Sequence, residues 1–295
     1  MSPTGARRPE RARQEGALIL VGTPIGNLGD LSPRAVDALR DADVIAAEDT
    51  RRTRALLSHA GVPAGGRLRA VHGRNERRHA AAIVEEVRAG ARVVYATDAG
   101  MPGISDPGER LVRACLDAGL PVEIVPGPSA LLTALVVSGL PTQRFVFEGF
   151  LPRKGKARAE RLAGIAAEPR TVVLFESPIR IAGTIGELAA ACGPDREVAV
   201  ARELTKRFEE VWRGRLGDAA ADPVGTRGEF VVVVAPAPDA TEPVGDEGLD
   251  AAVDAALDSG LSARDAAAQV AADLAVPKRR AYDAATRRSR ARARP

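Results

Sequence analysis

Aromatic residues are scarce: Phe, Trp and Tyr together make up 3% of 295 residues. That removes the row of stacking rings on which single-stranded nucleic acid is usually held. Cysteine occurs only at Cys115 and Cys192, far apart and inside helix-like apolar patterns. A disulfide framework is therefore excluded, and buried free thiols are expected. The three histidines, His59, His72 and His79, form no Cys/His cluster at ligand spacing, so no metal site is expected. No apolar run approaches the ~18 residues of a membrane span, and the run at 17–22 is too short for a signal segment. These absences describe a cytoplasmic chain without a membrane partner. Neither G-x-G-x-x-G nor G-K-[ST] is present, so the Rossmann and Walker A phosphate signatures are missing too.

The hydrophobic content is 45%, enough for a sizeable core, and the length suits two domains with an appendage. A net charge of +3 conceals uneven placement, and only four of the 42 basic residues are lysine. Heavy Arg and Ala usage is what a GC-rich genome would give by codon composition alone, so clustering is the more useful signal. Basic residues gather at Arg51, Arg52 and Arg54. They gather again at Arg153, Lys154, Lys156, Arg158 and Arg161, and once more from Lys278, Arg279 and Arg280 to Arg294. Patches of this kind suit an RNA phosphate backbone, although the last eight residues read equally well as a solvated tail. Arg153, Lys154, Lys156, Arg158, Lys278, Arg279 and Arg280 are the candidate RNA contacts.

Residues 1–15 read as a disordered arm. From 16 to 141 short β-rich runs (18–21, 44–47, 69–71, 92–96, 122–125) alternate with amphipathic stretches (33–40, 50–60, 77–89, 109–118, 129–137). Such alternation predicts an α/β domain with a largely parallel sheet. Ser32-Pro33 is a helix start, a cap followed by proline at the first helical position. Leu140-Pro141 breaks the pattern. A second α/β domain is expected over 142–236, with strands at 145–148, 171–175, 198–201 and 229–234. Residues 237–246 read as a linker. Three short helices are expected over 247–295, with Gly260, Ser262 and Pro277 marking their junctions.

Three loops follow strands and carry the chemistry. The turn at 22–30, G-T-P-I-G-N-L-G-D, reads by spacing alone as a plain structural turn. The loop at 97–108, T-D-A-G-M-P-G-I-S-D-P-G, is stiffened by glycines and prolines. It lies at the carboxyl end of a strand, where open α/β sheets bind ligands, and Asp98 and Asp106 can accept hydrogen bonds there. V-P-G-P-S-A at 125–130 repeats the arrangement, with Ser129 at a helix start; a helix cap alone explains Ser129 as well. Two such loops can line one crevice.

Together these loops resemble the tetrapyrrole-methylase superfamily of S-adenosylmethionine enzymes. Four further segments make the chain similar to one family within it, small-subunit rRNA methyltransferase I, the cytidine 2′-O-ribose enzymes. They are A-A-E-D-T-R at 46–51, E-G-F-L-P at 148–152, F-E-S-P at 175–178 and A-R-E-L-T-K at 201–206. The likeness runs from about Leu18 to Ala235 and more weakly beyond. It implies a two-lobed fold with a small helical C-terminal module, and S-adenosyl-L-methionine held between the lobes. The residues implied at the cofactor are Pro24, Asp98, Ala99, Gly100, Met101, Ile104, Ser105, Ser129, Ala130, Phe175, Leu204 and Gly228. It further implies a homodimer acting on a cytidine of 16S rRNA in the decoding centre of the small ribosomal subunit.

A sulfonium methyl is already activated, so positioning the acceptor hydroxyl supplies much of the rate, with a base assisting. Glu48, Asp49, Arg51, His72, Asn75 and Glu76 are the candidate catalytic residues; Asp49 reads equally as a helix cap and His72 as structural. Two departures from the family pattern stand out. Arg74 and Ile179 occupy positions where relatives usually carry histidine, so neither histidine can be an obligatory base. Two other readings fit the same loops: a methyltransferase of this fold acting on a tetrapyrrole or a protein side chain, and a non-catalytic RNA-binding pseudoenzyme.

Overall fold

A computed structural model describes residues 16–222, 227–238, 246–274 and 276–292. The expected arm at 1–15 and most of the expected linker lie outside the described residues. The chain divides into two compact units, Met1–Pro236 and Ala237–Pro295.

The first unit contains two five-stranded sheets. Strands β1 (Ala17–Val21), β2 (Val44–Ala47), β3 (Leu68–Ala70), β4 (Arg92–Ala96) and β5 (Val122–Val125) form the first, in the order β3-β2-β4-β1-β5. All its pairings are parallel. Crossover helices must then lie on the sheet faces, and a strand covered on both faces is apolar at every position. Strand β1, A-L-I-L-V, is buried throughout. Its alternate residues Ala17, Ile19 and Val21 pack with Leu39 of α1 (Pro33–Arg40) and Leu57 of α2 (Thr50–His59). Leu18 and Leu20 face the other way, onto Ile83 of α3 (Glu76–Arg88) and Leu111 of α4 (Glu109–Asp117). Ser32 caps α1 by accepting from the Ala35 N–H, with proline at the start of the helix, as the Ser-Pro pair predicts.

The second sheet combines β6 (Phe145–Phe150), β7 (Thr171–Glu176), β8 (Glu197–Arg202), β9 (Glu210–Arg215) and β10 (Phe230–Val234), in the order β6-β7-β10-β8-β9. Only β6 and β7 run parallel; the remaining pairings are antiparallel. Helices α6 (Lys156–Ala167), α7 (Ile181–Cys192) and α8 (Leu216–Ala221) accompany it. Strand β9 and helix α8 are absent from the sequence reading. The strand E-V-W-R-G-R is charged at Glu210, Arg213 and Arg215 and lies at a sheet edge, where no continuous apolar signal is needed. Helix α5 (Ala130–Ser138) follows a strand of the first sheet but packs on the second. Its Ala134 and Leu135 join Val173, Ala199, Val231 and also Ile25 of the first lobe in one cluster.

Both cysteines are free; Cys115 is buried as expected, whereas Cys192 is only half-buried. In the second unit, α9 (Asp246–Asp258), α10 (Ala263–Asp273) and α11 (Lys278–Arg292) share a core of Leu249, Val253, Val270 and a run of alanines. Arg280, Arg287 and Arg288 of α11 pair with Asp246, Asp250 and Asp254 of α9. Among the described residues, no helix is long and apolar enough to cross a membrane.

Candidate active site

Parallel strands deliver their following loops to one edge of a sheet, and here the loops after β1, β4 and β5 meet. Thr23 and Gly100 exchange backbone hydrogen bonds at 2.9 and 3.1 Å. Gly22 and Gly127 lie so close that a Cβ on Gly127 would sit 2.7 Å from the Gly22 carbonyl carbon. No side chain can occupy either position without moving backbone. The Met101 sulfur accepts from the Gly127 N–H at 3.4 Å, tying the long loop to the third turn. Ser129 caps α5, its hydroxyl accepting from Leu132 N–H and its carbonyl from the Thr133 hydroxyl.

These turns form one wall of a cavity of about 330 Å³ between the two sheets. Nine of the twelve residues expected at a cofactor line it: Ala99, Gly100, Met101, Ile104, Ser105, Ser129, Ala130, Phe175 and Leu204. Pro24 and Asp98 line a neighbouring cavity of about 290 Å³ instead. Gly228 lines neither; its φ of +102° lets Glu203 lie against the start of β10. The opposite wall, comprising Phe150, residues 176–178 and residues 229–231, was not expected. Phe150 and Phe175 meet edge to face at 5.7 Å, and Phe147 supports Phe175 at 4.9 Å. In a chain with six phenylalanines, three line this one cavity. Ser105 adopts a left-handed φ of 62° within the cavity wall; strain of this kind concentrates where geometry serves a ligand.

The six candidate catalytic residues separate into different roles. Glu48 follows β2 and accepts from the Asp98 N–H at 3.4 Å; burial raises its carboxyl above the usual range. Asp49 caps α2 through the Arg51 N–H and grips the Arg51 guanidinium at 2.7 Å, which holds its carboxyl well below the usual range. Arg51 is thereby spent on its neighbour, whereas Arg52 reaches Asp98 at 3.5 Å and lines the neighbouring cavity. Asn75 shapes a turn, accepting from His72 N–H at 2.8 Å and donating to Ala70 carbonyl at 3.1 Å. Glu76 is corrected: it is 4% exposed, and its Oε1 accepts from the N–H groups of Gly108, Arg110 and Leu111. It caps α4 across the lobe and does not line the cavity. Asp106 lines the cavity, and its carboxyl is pushed up to about 7 by burial and then by the charges of Glu48, Asp98 and Glu229.

Arg158 is the second correction. It is buried, donating to Glu187 at 2.8 Å, the Thr184 hydroxyl at 2.8 Å and the Pro152 carbonyl at 2.9 Å. Its helical position places it on the inner face of α6, so it is unavailable to phosphate. Arg153, Lys154 and Lys156 are exposed, as are Lys278 and Arg279, while Arg280 is engaged with Asp246. Among the described residues no group of His, Cys, Asp or Glu could hold a metal ion.

Comparison with known proteins agrees with this geometry. The profile of the family Tetrapyrrole (Corrin/Porphyrin) Methylases matches residues 17–220. Ribosomal RNA small subunit methyltransferase I of Mycobacterium tuberculosis is 50% identical over 221 residues, 75% of this chain and 78% of that protein. The protein of the same name from Escherichia coli O157:H7 is 44% identical over 224 residues, again 75% and 78%. Among solved structures, uroporphyrin-III C-methyl transferase from Thermus thermophilus, complexed with S-adenyl homocysteine, aligns with a TM-score of 0.53 and 26% identity. The alignment covers 75% of this chain and 97% of that one. Diphthine synthase shares the fold, with a TM-score of 0.57 at 17% identity, covering 74% and 90%. The chain belongs to the ribosomal RNA small subunit methyltransferase I family, S-adenosylmethionine-dependent methyltransferases with the tetrapyrrole-methylase fold.

Proposed function

We propose that this protein transfers the methyl group of S-adenosylmethionine to the ribose 2′-hydroxyl of a cytidine in 16S rRNA, acting on the small ribosomal subunit. The observation that carries this reading is the meeting of the loops after β1, β4 and β5 around one cavity, in a chain half identical to a ribosomal RNA small subunit methyltransferase I. The residues present fit the donor. The Ala99 and Met101 amides offer donors to a carboxylate, Phe150, Phe175 and Leu204 offer an apolar wall to an adenine, and Asp106 offers a carboxylate to a cation. When bound, the donor supplies an electrophilic methyl group. The protein's part is to exclude water with the aromatic wall and to fix the acceptor oxygen in line with that methyl.

RNA contact is assigned to Arg153, Lys154 and Lys156, exposed where β6 gives way to α6, a few residues beyond Phe150 in the cavity wall. Lys278 and Arg279, exposed on the C-terminal unit, are further candidates. A homodimer is supported by α5. This helix, A-L-L-T-A-L-V-V-S, has no polar side, yet Val136 is 71% and Leu132 50% exposed. A helix apolar all round calls for cover on every side, and a second copy would supply it.

Mapping ribose 2′-O-methylation of 16S rRNA in cells with and without the gene tests the reading. One cytidine should lose its methyl group when the gene is removed. An unchanged map, together with transfer of labelled methyl to uroporphyrinogen but not to 30S particles, would reverse it.

A further inference from the structure

The cofactor cavity and its neighbour are two rooms separated by one partition. The second is lined by Thr23, Pro24, Leu28, Arg52, Leu56 and Lys206, among others, and so mixes apolar wall, hydroxyls and cations. The residues common to both linings are Ile25, Ala99 and Glu229. With the donor in the first cavity, a methyl group handed to an acceptor in the second crosses that partition. Of its three residues only Glu229 carries a group able to accept a proton.

The other carboxylates nearby are placed differently. Asp106 and Glu176 line only the first cavity, and Asp98 only the second. Glu176 is 2% exposed and engaged by the Ser177 N–H, the Thr184 hydroxyl and Arg180. Asp98 accepts from the Asp49 N–H at 3.0 Å and meets Arg52 at 3.5 Å. Glu48 lines neither cavity.

Glu229, by contrast, has a side chain that is 72% exposed and held from one side by the Lys206 ammonium at 2.9 Å. That ammonium is fixed in turn by Glu203 at 2.8 Å. The surrounding backbone is shaped around this arrangement. Glu203 and Thr205 take left-handed φ values of 50° and 64°, and Gly228 takes +102°, where a Cβ would press on Glu203. Across the cleft, a Cβ on Gly26 would strike the Lys206 stem, and the Asn27 N–H donates to the Thr205 hydroxyl at 3.1 Å. Two strained non-glycine residues and two glycines thus serve to place one ammonium against one carboxylate.

We propose that the second cavity receives the nucleoside to be methylated and that Glu229, oriented by Lys206, accepts the proton of its ribose hydroxyl. This rests on the rRNA reading above and adds the acceptor site and the base to it. The proton passes from the hydroxyl to a Glu229 oxygen as the hydroxyl oxygen forms its bond to the methyl carbon. The carbon–sulfur electron pair stays on sulfur, and the protonated Glu229 then yields its proton to water. Arg52 is two-thirds exposed at the same cavity and is suited to the nucleotide's phosphate.

The test compares wild type, Glu229→Gln and Ala55→Trp, the last placing an indole at the second cavity. Wild type should label 30S particles. Glu229→Gln should lower kcat by about 10²-fold or more, the range of a lost general base. Calorimetric affinity for S-adenosylhomocysteine, and affinity for a 16S rRNA fragment in its presence, should stay within twofold. Ala55→Trp should keep the first affinity and weaken the second at least tenfold. If wild type labels RNA and Glu229→Gln does so within threefold, the base assignment falls alone. Wild-type RNA affinity in Ala55→Trp removes the acceptor site, and a wild type that labels no RNA removes both this proposal and the reading beneath it.

Discussion

The two walls of the cavity between the sheets are built by opposite means. The first lobe supplies turns in which glycine and proline fix the backbone, and just over half of its lining residues are glycine, alanine or serine. The second lobe supplies strand ends, with Phe150, Phe175 and Phe230 projecting from an ordinary sheet. In the first wall the backbone path is the binding surface, so tolerance to substitution is low. In the second the side chains are the surface, and one apolar group can replace another. The difference teaches where a binding site is brittle: where two backbones touch, not where two side chains do.

The sharpest way to break that comparison is to substitute once in each wall. Gly127→Val places a Cβ at 2.7 Å from Gly22 backbone atoms, and forced backbone shifts of this kind cost about 3 kcal/mol. Its affinity for S-adenosylmethionine should fall more than tenfold. Phe230→Leu in the opposite wall should cost roughly 1 kcal/mol and leave that affinity within about threefold. Equal losses in chemical denaturation and calorimetry would erase the distinction between the walls.

The next effect separates support from chemistry inside the first lobe. Glu76→Ala leaves three N–H groups at the start of α4 without their acceptor and should destabilise by about 2 kcal/mol. Glu76→Gln keeps the acceptor oxygen and should retain most of both stability and methyl transfer. A Gln variant that folds normally yet transfers no methyl would return Glu76 to the catalytic set.

Asp106 gives a pH signature of the first wall. With its folded value pushed up to about 7 against an ordinary 3.8, the folded state retains a proton that the unfolded chain has released between those limits. Stability therefore falls as pH rises from about 4 to 7, and is lost in full only above 7. Asp106→Asn should exceed wild type by roughly 2 kcal/mol at pH 8, about half the full linkage value because the cavity admits water. Near pH 3.5 the two should coincide. Because a cationic ligand favours the carboxylate, wild-type affinity for S-adenosylmethionine should also strengthen from pH 6 to 8. Parallel stability curves for wild type and Asp106→Asn would remove Asp106 as the source.

The smallest effect on folding lies outside both walls. Exchanging Arg153 and Lys154 for Glu should change stability by less than about 0.5 kcal/mol, as for most surface sites. It should weaken 30S binding and flatten its salt dependence. Unchanged binding would move the RNA face elsewhere.

The contrast between the walls also explains what could be read from the sequence. Turns at 97–108 and 125–130 announce themselves because glycine and proline at fixed offsets have few other uses, and eight of their eighteen residues line the cavity. Strands β1, β2 and β4 are legible because burial on both faces demands apolar runs. Phe150 and Glu229 carry no such mark: a phenylalanine at a strand end and a glutamate before a strand are common, and only the pairing of β6 with β7 and of β10 with β8 makes them cavity residues. Arg158 misled because a basic cluster records composition, whereas helical phase decides which members face inward. Arg51 and Arg52 differ by one position and about 100° of helix, which sends one to Asp49 and the other to the second cavity.

The ladder of arginines on α11 and aspartates on α9 has its own consequence for measurements on this protein. Ionic strength acts on it and on RNA alike: added salt weakens the attraction to phosphate and, at the same time, loosens the clasp that keeps Arg280, Arg287 and Arg288 on their own bundle. A salt titration of RNA affinity in the full chain therefore superimposes two equilibria of opposite sign. The slope obtained will understate the number of phosphates engaged unless the bundle's own loosening is measured in parallel.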